Sequence, residues 1–377
     1  MQRKKLVIIS HTEHHFDNGV IKGWGSTINE INYLSEYWEE VVHVACLHKT
    51  KTPPSSLPYT KNNITFVPIP PYGGKRLKDK ILIFTKIPSI IRQVLKSIEG
   101  ASEVQLRLPT SMGLFLLPLF SFFVPRKFTF WVKYAGNWNE KKPPLSYAIQ
   151  RFWLKKNWAK CKVTINGFWE KQQSHCYSFE NPCLTLEALE DGKKNAALKT
   201  FDSPFVFTFV GRLEGPKGVN RIIEALKGIP LEKIEKVHFI GDGNTMAFYK
   251  KETDYLKEKV AFHGFIGSDI VHEIIKKSHF LLLPSTASEG FPKVIAEAAC
   301  YGVIPIVSNV GSIGHYINER NGFVWDLNSN QQFYTCLAKA IETTAFLLKE
   351  KSKNVQGVAE KFTFVNYYNK LENLLFN

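Results

Sequence analysis

Short runs of β-branched and aromatic residues alternate with amphipathic stretches along the chain, the pattern of parallel α/β sheets with crossover helices. In the first half they predict strands at Lys5–Ser10, Val41–Cys46, Ile64–Val67, Glu103–Arg107, Phe128–Val132 and Lys162–Ile165. A helix is predicted from near Ser26, where Ile28, Ile31, Leu34, Tyr37 and Trp38 share one face at helical period. The segment from Phe179 to Pro204 breaks the rhythm and reads as an interdomain linker. The alternation restarts with Phe205–Val210 and continues through Lys236–Ile240, Val260–Phe262, His279–Leu283, Ile304–Val307 and Gly322–Trp325. Two Rossmann-like α/β domains are therefore expected. The longest apolar run, Leu114 to Val124, contains Pro118 and falls short of the roughly 20 residues of a membrane-spanning helix, so it predicts a buried helix.

A chain of 377 residues is long enough for two cores. Charge separates the halves: residues 1–180 carry 26 Lys+Arg against 12 Asp+Glu, residues 181–377 carry 23 against 22. Nearly all of the +15 net charge thus belongs to the first half, which suggests an anionic partner there: a membrane surface, a polyanionic acceptor or a nucleic acid. Six cysteines without a Cys-x-x-Cys pair fit reduced thiols, and the N-terminal Met1-Gln2-Arg3-Lys4-Lys5 runs into a strand without the apolar stretch of a signal peptide. A cytoplasmic protein is expected.

In parallel α/β sheets, ligands bind beyond the carboxyl ends of the strands. After the strand ending at Val210 comes Gly211-Arg212-Leu213-Glu214-Gly215-Pro216-Lys217-Gly218, opening a helix with Val219, Ile222, Ile223 and Leu226 inward. Glycines allow close backbone approach, the helix start offers free amides, and Arg212 and Lys217 supply charge for a diphosphate. No Walker motif occurs, which argues against an NTPase. After Phe280–Leu283 comes Glu289-Gly290-Phe291-Pro292-Lys293, then a nearly apolar helix carrying Glu297 eight residues beyond Glu289. A buried, unpaired carboxylate at Glu297 would be costly, and a ribose diol is a suitable partner for it. The plain alternatives are a glycine turn with two surface cations, a helix-cap anion at Glu289 and an exposed helical glutamate at Glu297.

Gly-Arg-Leu-x-x-x-Lys-Gly, Gly241-Asp242-Gly243, Phe262-His263-Gly264-Phe265 and Glu-Gly-Phe-Pro-x-x-x-x-Glu-Ala together resemble the retaining GT-B glycosyltransferases of family 4, most strongly between Phe205 and Trp325. The resemblance implies two Rossmann-like domains facing across a cleft: an acceptor-side domain of residues 1–180, joined by a C-terminal helix (360–377) that crosses back to it, and a donor-binding domain of residues 181–359. It also implies transfer from a UDP- or GDP-sugar to a glycan or lipid-linked acceptor, as in cell-surface polysaccharide synthesis, with no cofactor. Glu289 would contact donor-sugar hydroxyls, Glu297 the ribose, Arg212 and Lys217 the diphosphate; Gly264 and Phe265 would hold the nucleobase. Gly211, Gly290, Phe291, Pro292 and Lys293 complete the expected donor site.

In the first half, Asn18-Gly19 and Gly23-Trp24-Gly25-Ser26 are expected in the loop after the first strand, where the family's glycine turn implies that Gly25 approaches the donor phosphate. Arg107, Thr110, Lys133 and Asn137 follow the fourth and fifth strands and are expected on the acceptor side. His11, His14 and His15 lack the carboxylate or cysteine company of a usual zinc site, and no Asp-x-Asp is present to bridge a metal to a diphosphate, so no metal is expected. Two stretches, Lys75–Phe84 and Arg151–Lys160, mix cations with large apolar groups and suggest contact with an anionic membrane; ordinary packing is the alternative. Two rivals stay open: a nucleotide-sugar epimerase or hydrolase of the same architecture, and a non-enzymatic polyanion-binding protein. The second leaves Glu289 and Glu297 without purpose, and nucleic acid is not the expected partner.

Overall fold

The computed structural model describes residues 3–72, 83–125, 127–287, 290–328 and 332–376. They form two compact α/β units, one of Met1–Phe179 with Tyr368–Asn377, the other of Glu180–Tyr367. No helix among the described residues is long and apolar enough to cross a membrane.

The first unit holds strands β1 (Arg3–Asp17), β2 (Val20–Trp24), β3 (Trp38–His48), β4 (Ser56–Pro58), β5 (Ile64–Ile69), β6 (Glu103–Leu108), β7 (Thr129–Tyr134), β8 (Lys162–Asn166) and β9 (Cys176–Phe179). A parallel sheet runs in the order β5-β3-β1-β6-β7-β8-β9, and β2 and β4 extend it antiparallel beside the end of β1. Helices α1 (Gly25–Leu34), α2 (Ile83–Ser97), α3 (Gly113–Pro118) and α4 (Leu145–Lys155) flank it. All six predicted strands of this half are present. One face packs Val7, Ile9, Val44, Val104, Leu106, Val132 and Val163 against Ile90 and Val94 of α2 and Leu116 and Leu117 of α3.

Three local expectations are corrected. The glycine-rich stretch after the first strand is mostly a hairpin: Asn18 (φ 49°) and Gly19 (φ 84°) adopt the paired positive φ of a type I′ turn, so β1 runs on to Asp17 and returns as β2. Tyr37 and Trp38 leave the helical face, because α1 ends at Leu34, a 3₁₀ turn takes Ser35–Tyr37 and Trp38 opens β3. The apolar run Leu114–Val124 is only half buried. After α3 it continues as a π-helical turn, Leu119–Phe123, that roots Phe120 in the core and leaves Leu114, Phe122 and Phe123 exposed. Of Lys75–Phe84, all but Ile83 and Phe84 lie outside the described residues.

The second unit is a parallel sheet of β10 (Phe205–Val210), β11 (Ile234–Ile240), β12 (Val260–Gly264), β13 (Phe280–Leu283), β14 (Ile304–Ser308) and β15 (Phe323–Trp325), ordered β12-β11-β10-β13-β14-β15. Its helices are α5 (Leu186–Leu198), α6 (Val219–Lys227), α7 (Met246–Glu252), α8 (Ser268–Lys277), α9 (Lys293–Cys300), α10 (Ile313–Tyr316), α11 (Phe333–Glu342) and α12 (Ala345–Lys361). The stretch expected as a linker instead carries α5, started by Thr185, whose side chain accepts from the Ala188 amide at 3.1 Å, and packed through Leu189, Gly192 and Ala196. Small residues at the buried positions gave it no apolar stripe to read. A last helix, α13 (Phe364–Leu371), leads into Tyr368–Asn377, which belongs to the first unit. There Tyr368 meets Trp38 edge-on at 6.2 Å, and Glu372 lies 3.8 Å from Arg3.

Strand order locates the candidate sites. From β1 the chain moves to β3 and β5 on one side and then to β6 on the other; from β10 it moves to β11 and β12, then to β13. Each unit thus has a topological switch point, β1/β6 and β10/β13, where the diverging loops leave a crevice at the carboxyl ends.

Candidate functional site

At the β10/β13 switch point, backbone hydrogen bonds tie the carboxyl-end loops together. The Gly211 amide donates to the Ile240 carbonyl at 2.9 Å, Leu213 to Asp242 at 2.9 Å, Gly241 to Gly264 at 2.8 Å and Thr286 to Pro216 at 2.8 Å. Ser312 closes the other side, its amide and hydroxyl both donating to the Gly290 carbonyl at 2.9 Å. Two glycines are required for this. Gly218 has φ 90°, and a Cβ there would lie 2.2 Å from the Pro284 carbonyl oxygen; Gly241 has φ 130°, and its Cβ would lie 1.9 Å from the Gly211 carbonyl oxygen. The Gly-x-Gly pattern at Gly241 is therefore a packing demand of the neighbouring loop.

On this frame Gly215–Lys217 forms a 3₁₀ turn and α6 begins after Gly218, with Val219, Ile222, Ile223 and Leu226 buried as expected. Arg212 is largely exposed and lies 3.4 Å from Glu214. Lys217 is half-buried; burial pushes its pKa down, the Arg212 charge adds to this, and Glu214 opposes it. An exposed guanidinium and a lysine whose positive form is disfavoured make a site that gains from an anion. The sequence reading missed Arg221, which reaches the Pro284 carbonyl at 3.3 Å and lies over the Trp325 ring; its position one turn beyond Lys217 was the available signal.

The loop after β13 carries the remaining donor-side candidates. Glu289 lies outside the described residues. Phe291 is buried, stacked on Phe362 at 4.5 Å and edge-on to Tyr316 at 4.8 Å, so it anchors the loop. Pro292 is the N-cap of α9. Lys293 spends its ammonium on the Pro182 carbonyl at 2.7 Å. Glu297 is half-buried rather than fully buried and lies near the Cys183 thiol; among the described residues it has no hydrogen-bond or ion-pair partner. Gly264 (φ 64°) ends β12 next to Gly241, and the exposed Phe265 follows it.

In the first unit the structure gives two acceptor-side candidates internal work. Arg107 and Lys133 are direct cross-strand partners, two like charges side by side. Buried Glu30 of α1 bridges them: Lys133 Nζ donates to both of its oxygens at 2.7 Å, and Arg107 Nη2 to Oε1 at 2.9 Å while Nε donates to Gln105 at 2.7 Å. Lys133 is therefore buried in an ionic cluster and not presented to a ligand. Thr110 is buried too, its amide and carbonyl held by Gln150. Asn137 sits in the loop after β7, accepting from the Asn139 amide at 3.0 Å. The Gly25 amide is occupied by the Ser55 carbonyl at 3.0 Å.

The histidines resolve differently from a metal cluster. His14 Nδ1 donates to the Thr12 carbonyl at 3.0 Å, which leaves Nε2 to accept from the Tyr59 hydroxyl at 2.8 Å. Tyr59 in turn accepts from His43 Nδ1 at 2.7 Å, and His43 Nε2 accepts from Ser10 Oγ at 2.8 Å. One carbonyl thus sets every tautomer in the chain. Burial pushes His14 down to about 4 and His43 well below its ordinary value. The network braces a bulge: Ile9 pairs with Val44 but Glu13 with Cys46, so Ser10, His11 and Thr12 stand opposite Ala45 alone. The bulge leaves His11 with an accessible edge near Arg107 of β6, while the protein packed around the ring desolvates it and lowers its pKa, with Glu13 opposing and Arg107 reinforcing. The sequence reading weighed His11 only as a metal ligand; its position directly after the first strand was the signal for this one.

Two parallel-sheet α/β units in this connection order define the GT-B fold, and solved structures agree over nearly the whole chain. Sucrose-phosphate synthase from Thermosynechococcus elongatus superposes with a TM-score of 0.71 at 15% identity, covering 99% of this chain and 98% of that one. Anabaena HepE, solved in complex with UDP, gives 0.69 at 15% identity and 99% coverage of both. Residues 191–360 match the family model described as Glycosyl transferases group 1. Lipopolysaccharide 1,6-galactosyltransferase of Salmonella typhimurium is 30% identical over 185 residues, 47% of this chain and 50% of that protein. The chain spans about half the length, or less, of the curated relatives it matches.

Proposed function

We propose that this chain is a retaining glycosyltransferase that moves a sugar from a UDP- or GDP-sugar to a glycan or lipid-linked acceptor. The observation that carries the proposal is the β10/β13 crevice, where Arg212 and Lys217 stand on a loop laced to the loop preceding Glu297, within the span that matches Glycosyl transferases group 1. The UDP bound in the HepE structure and the saccharide product named for the Salmonella relative support the nucleoside diphosphate and the glycan respectively. In this reading Arg212 and Lys217 neutralise the diphosphate as the glycosidic bond breaks. Glu297 binds the ribose, Glu289 the donor sugar, and Gly264 with Phe265 the base. The acceptor oxygen attacks the face from which the diphosphate departs. On the acceptor side His11, neutral and open to solvent, contacts the acceptor beside Arg107.

A thermal-shift screen of nucleotide sugars identifies the donor, since a ligand of the native state raises its melting temperature. With that donor, Glu297→Ala is expected to weaken binding by about 1.5–3 kcal/mol, the worth of a charge-assisted hydrogen bond, or roughly 10- to 150-fold. Arg212→Ala is expected to lower turnover more than binding. Wild-type kinetics in both variants would remove the donor assignment. Turnover of donor without any acceptor would instead favour the epimerase or hydrolase reading.

The reaction is expected to run without a divalent metal, because this reading gives the diphosphate two cations, Arg212 and Lys217, and the chain has no Asp-x-Asp. Transfer rates in excess EDTA are expected to match untreated enzyme; loss restored by manganese or magnesium would contradict this.

A further inference from the structure

One face of the first unit carries a continuous series of aromatic rings. Phe123 and Phe122 lie 6.5 Å apart, Phe122 and Trp153 5.8 Å, Trp153 and Trp158 5.0 Å, and Trp158 and Phe152 5.4 Å between centroids. Trp153 roots the series, packing on the core and donating its indole N–H to Ser121 at 3.1 Å. Phe122 and Phe123 are 66% and 74% exposed; Phe152 and Trp158 are about half exposed. Helix α4 extends the patch in an unusual way. Leu145, Ile149 and Phe152, one stripe at helical spacing, face out, while Gln150 and Arg151 face in. Arg151 is used up on the carbonyls of Trp138 at 2.6 Å and Glu140 at 2.9 Å. The helix buries Leu154 together with two polar side chains and still offers the apolar stripe Leu145, Ile149 and Phe152 outward, an arrangement suited to something other than water.

The charge around the patch narrows what that is. Between residues 104 and 169 the chain has 11 Lys and Arg and one carboxylate, Glu140. Arg107, Lys133 and Arg151 are buried, but Lys127, Lys141, Lys142, Lys155, Lys156, Lys160 and Lys162 are exposed, and Lys156 lies 5.8 Å from the Phe152 ring. Exposed rings surrounded by lysines match the interface of an anionic bilayer, where aromatic rings enter the headgroup level and each nearby cation adds attraction.

We propose that this face, formed by the Leu119–Phe123 turn, α4 and Trp158, docks on an anionic phospholipid bilayer. It replaces the sequence-based assignment to the whole Arg151–Lys160 stretch, of which Arg151 and most of Trp153 point inward. A lipid-linked acceptor, as in the functional reading, supplies its purpose. Binding to lipid is measured without donor or acceptor, so either proposal can fail alone.

The test is co-sedimentation of the full chain with vesicles of equal phosphatidylglycerol and phosphatidylethanolamine, and with phosphatidylcholine vesicles, at about 50 and about 500 mM salt, where screening differs strongly. Binding is expected only to the anionic vesicles, falling at high salt. The double variants Phe122→Ser/Phe123→Ser and Phe152→Ser/Trp158→Ser are each expected to lose at least tenfold in vesicle partition, with unchanged melting temperature. No binding of the wild type at low salt, or undiminished binding of both variants, would overturn the proposal. So would self-association of the wild type that both variants abolish, which would assign the face to a second copy of the chain.

Discussion

Glu30→Ala is expected to destabilise the first unit by about 3–5 kcal/mol, the cost of leaving a buried charge without its partner. Here two buried cations lose the same carboxylate at once. Arg107 and Lys133 are neighbours across the β6/β7 ladder, and Glu30 accepts from both. A domain's whole stability is on the order of 5–15 kcal/mol, so the variant is expected to be partly unfolded at physiological temperature. Lys133→Met, which leaves Glu30 paired with Arg107 and keeps an apolar stem in place, is expected to cost clearly less. Urea unfolding of both variants checks this. Equal losses, or a Glu30→Ala loss under about 1 kcal/mol, would mean the cluster is solvated.

Acid is expected to loosen both units well before the carboxylates titrate. Burial pushes His14 in the first unit and His238 and His279 in the second down to about 4, and His43 well below its ordinary value; the His263 ring, 2.9 Å from His238, and Lys199 beside His279 add to the effect. Above pH 6.5 these rings are neutral whether folded or not, so nothing is lost. As pH falls from 6.5 toward 4 the unfolded chain takes up protons that the folded chain refuses, and stability drops until the folded rings also titrate. By pH 5 the buried His14 ring accounts for roughly 2 kcal/mol, and the half-buried His238 and His279 rings for less, because solvent screens them. Unfolding free energies from urea titrations are expected to be lower at pH 5 than at pH 7 by these amounts, and His14→Gln to flatten the first unit's dependence. A midpoint unchanged over this range would contradict the neutral, carbonyl-fixed chain from His14 to Ser10.

Strand positions were legible because each long strand of a parallel sheet is buried on both faces and reads as a β-branched run; all twelve predicted strands are present. What escaped was short or lay at an edge. β2 depended on reading Asn18-Gly19 as a hairpin turn rather than a glycine loop, and β4 and β9 hold three and four residues. Helix α5 was hidden by buried Gly192 and Ala196, which carry no apolar signal. At the second unit's switch point, Gly211 to Gly218 and Gly241 to Gly264 could be read because the backbone conformation demands glycine at defined places. The Glu30 cluster could not. It needs the register that sets Arg107 beside Lys133, and Glu30 sits between Asn29 and Ile31 in a helix whose pattern gives no sign that a carboxylate faces inward. The bulge that presents His11 likewise arises from partners 33 and 45 positions away, His43 to Ser10 and Tyr59 to His14.

The central claim is that the β10/β13 crevice of the second unit holds a nucleoside diphosphate through Arg212, Lys217 and Glu297. Titration calorimetry with UDP and with GDP tests it without knowledge of sugar or acceptor. One of the two is expected to bind the wild type with a Kd in the micromolar range, and Glu297→Ala to weaken that nucleotide at least tenfold, about 1.4 kcal/mol. Absence of binding by either nucleotide, or equal affinity in the wild type and in Glu297→Ala and Arg212→Ala, would contradict the account.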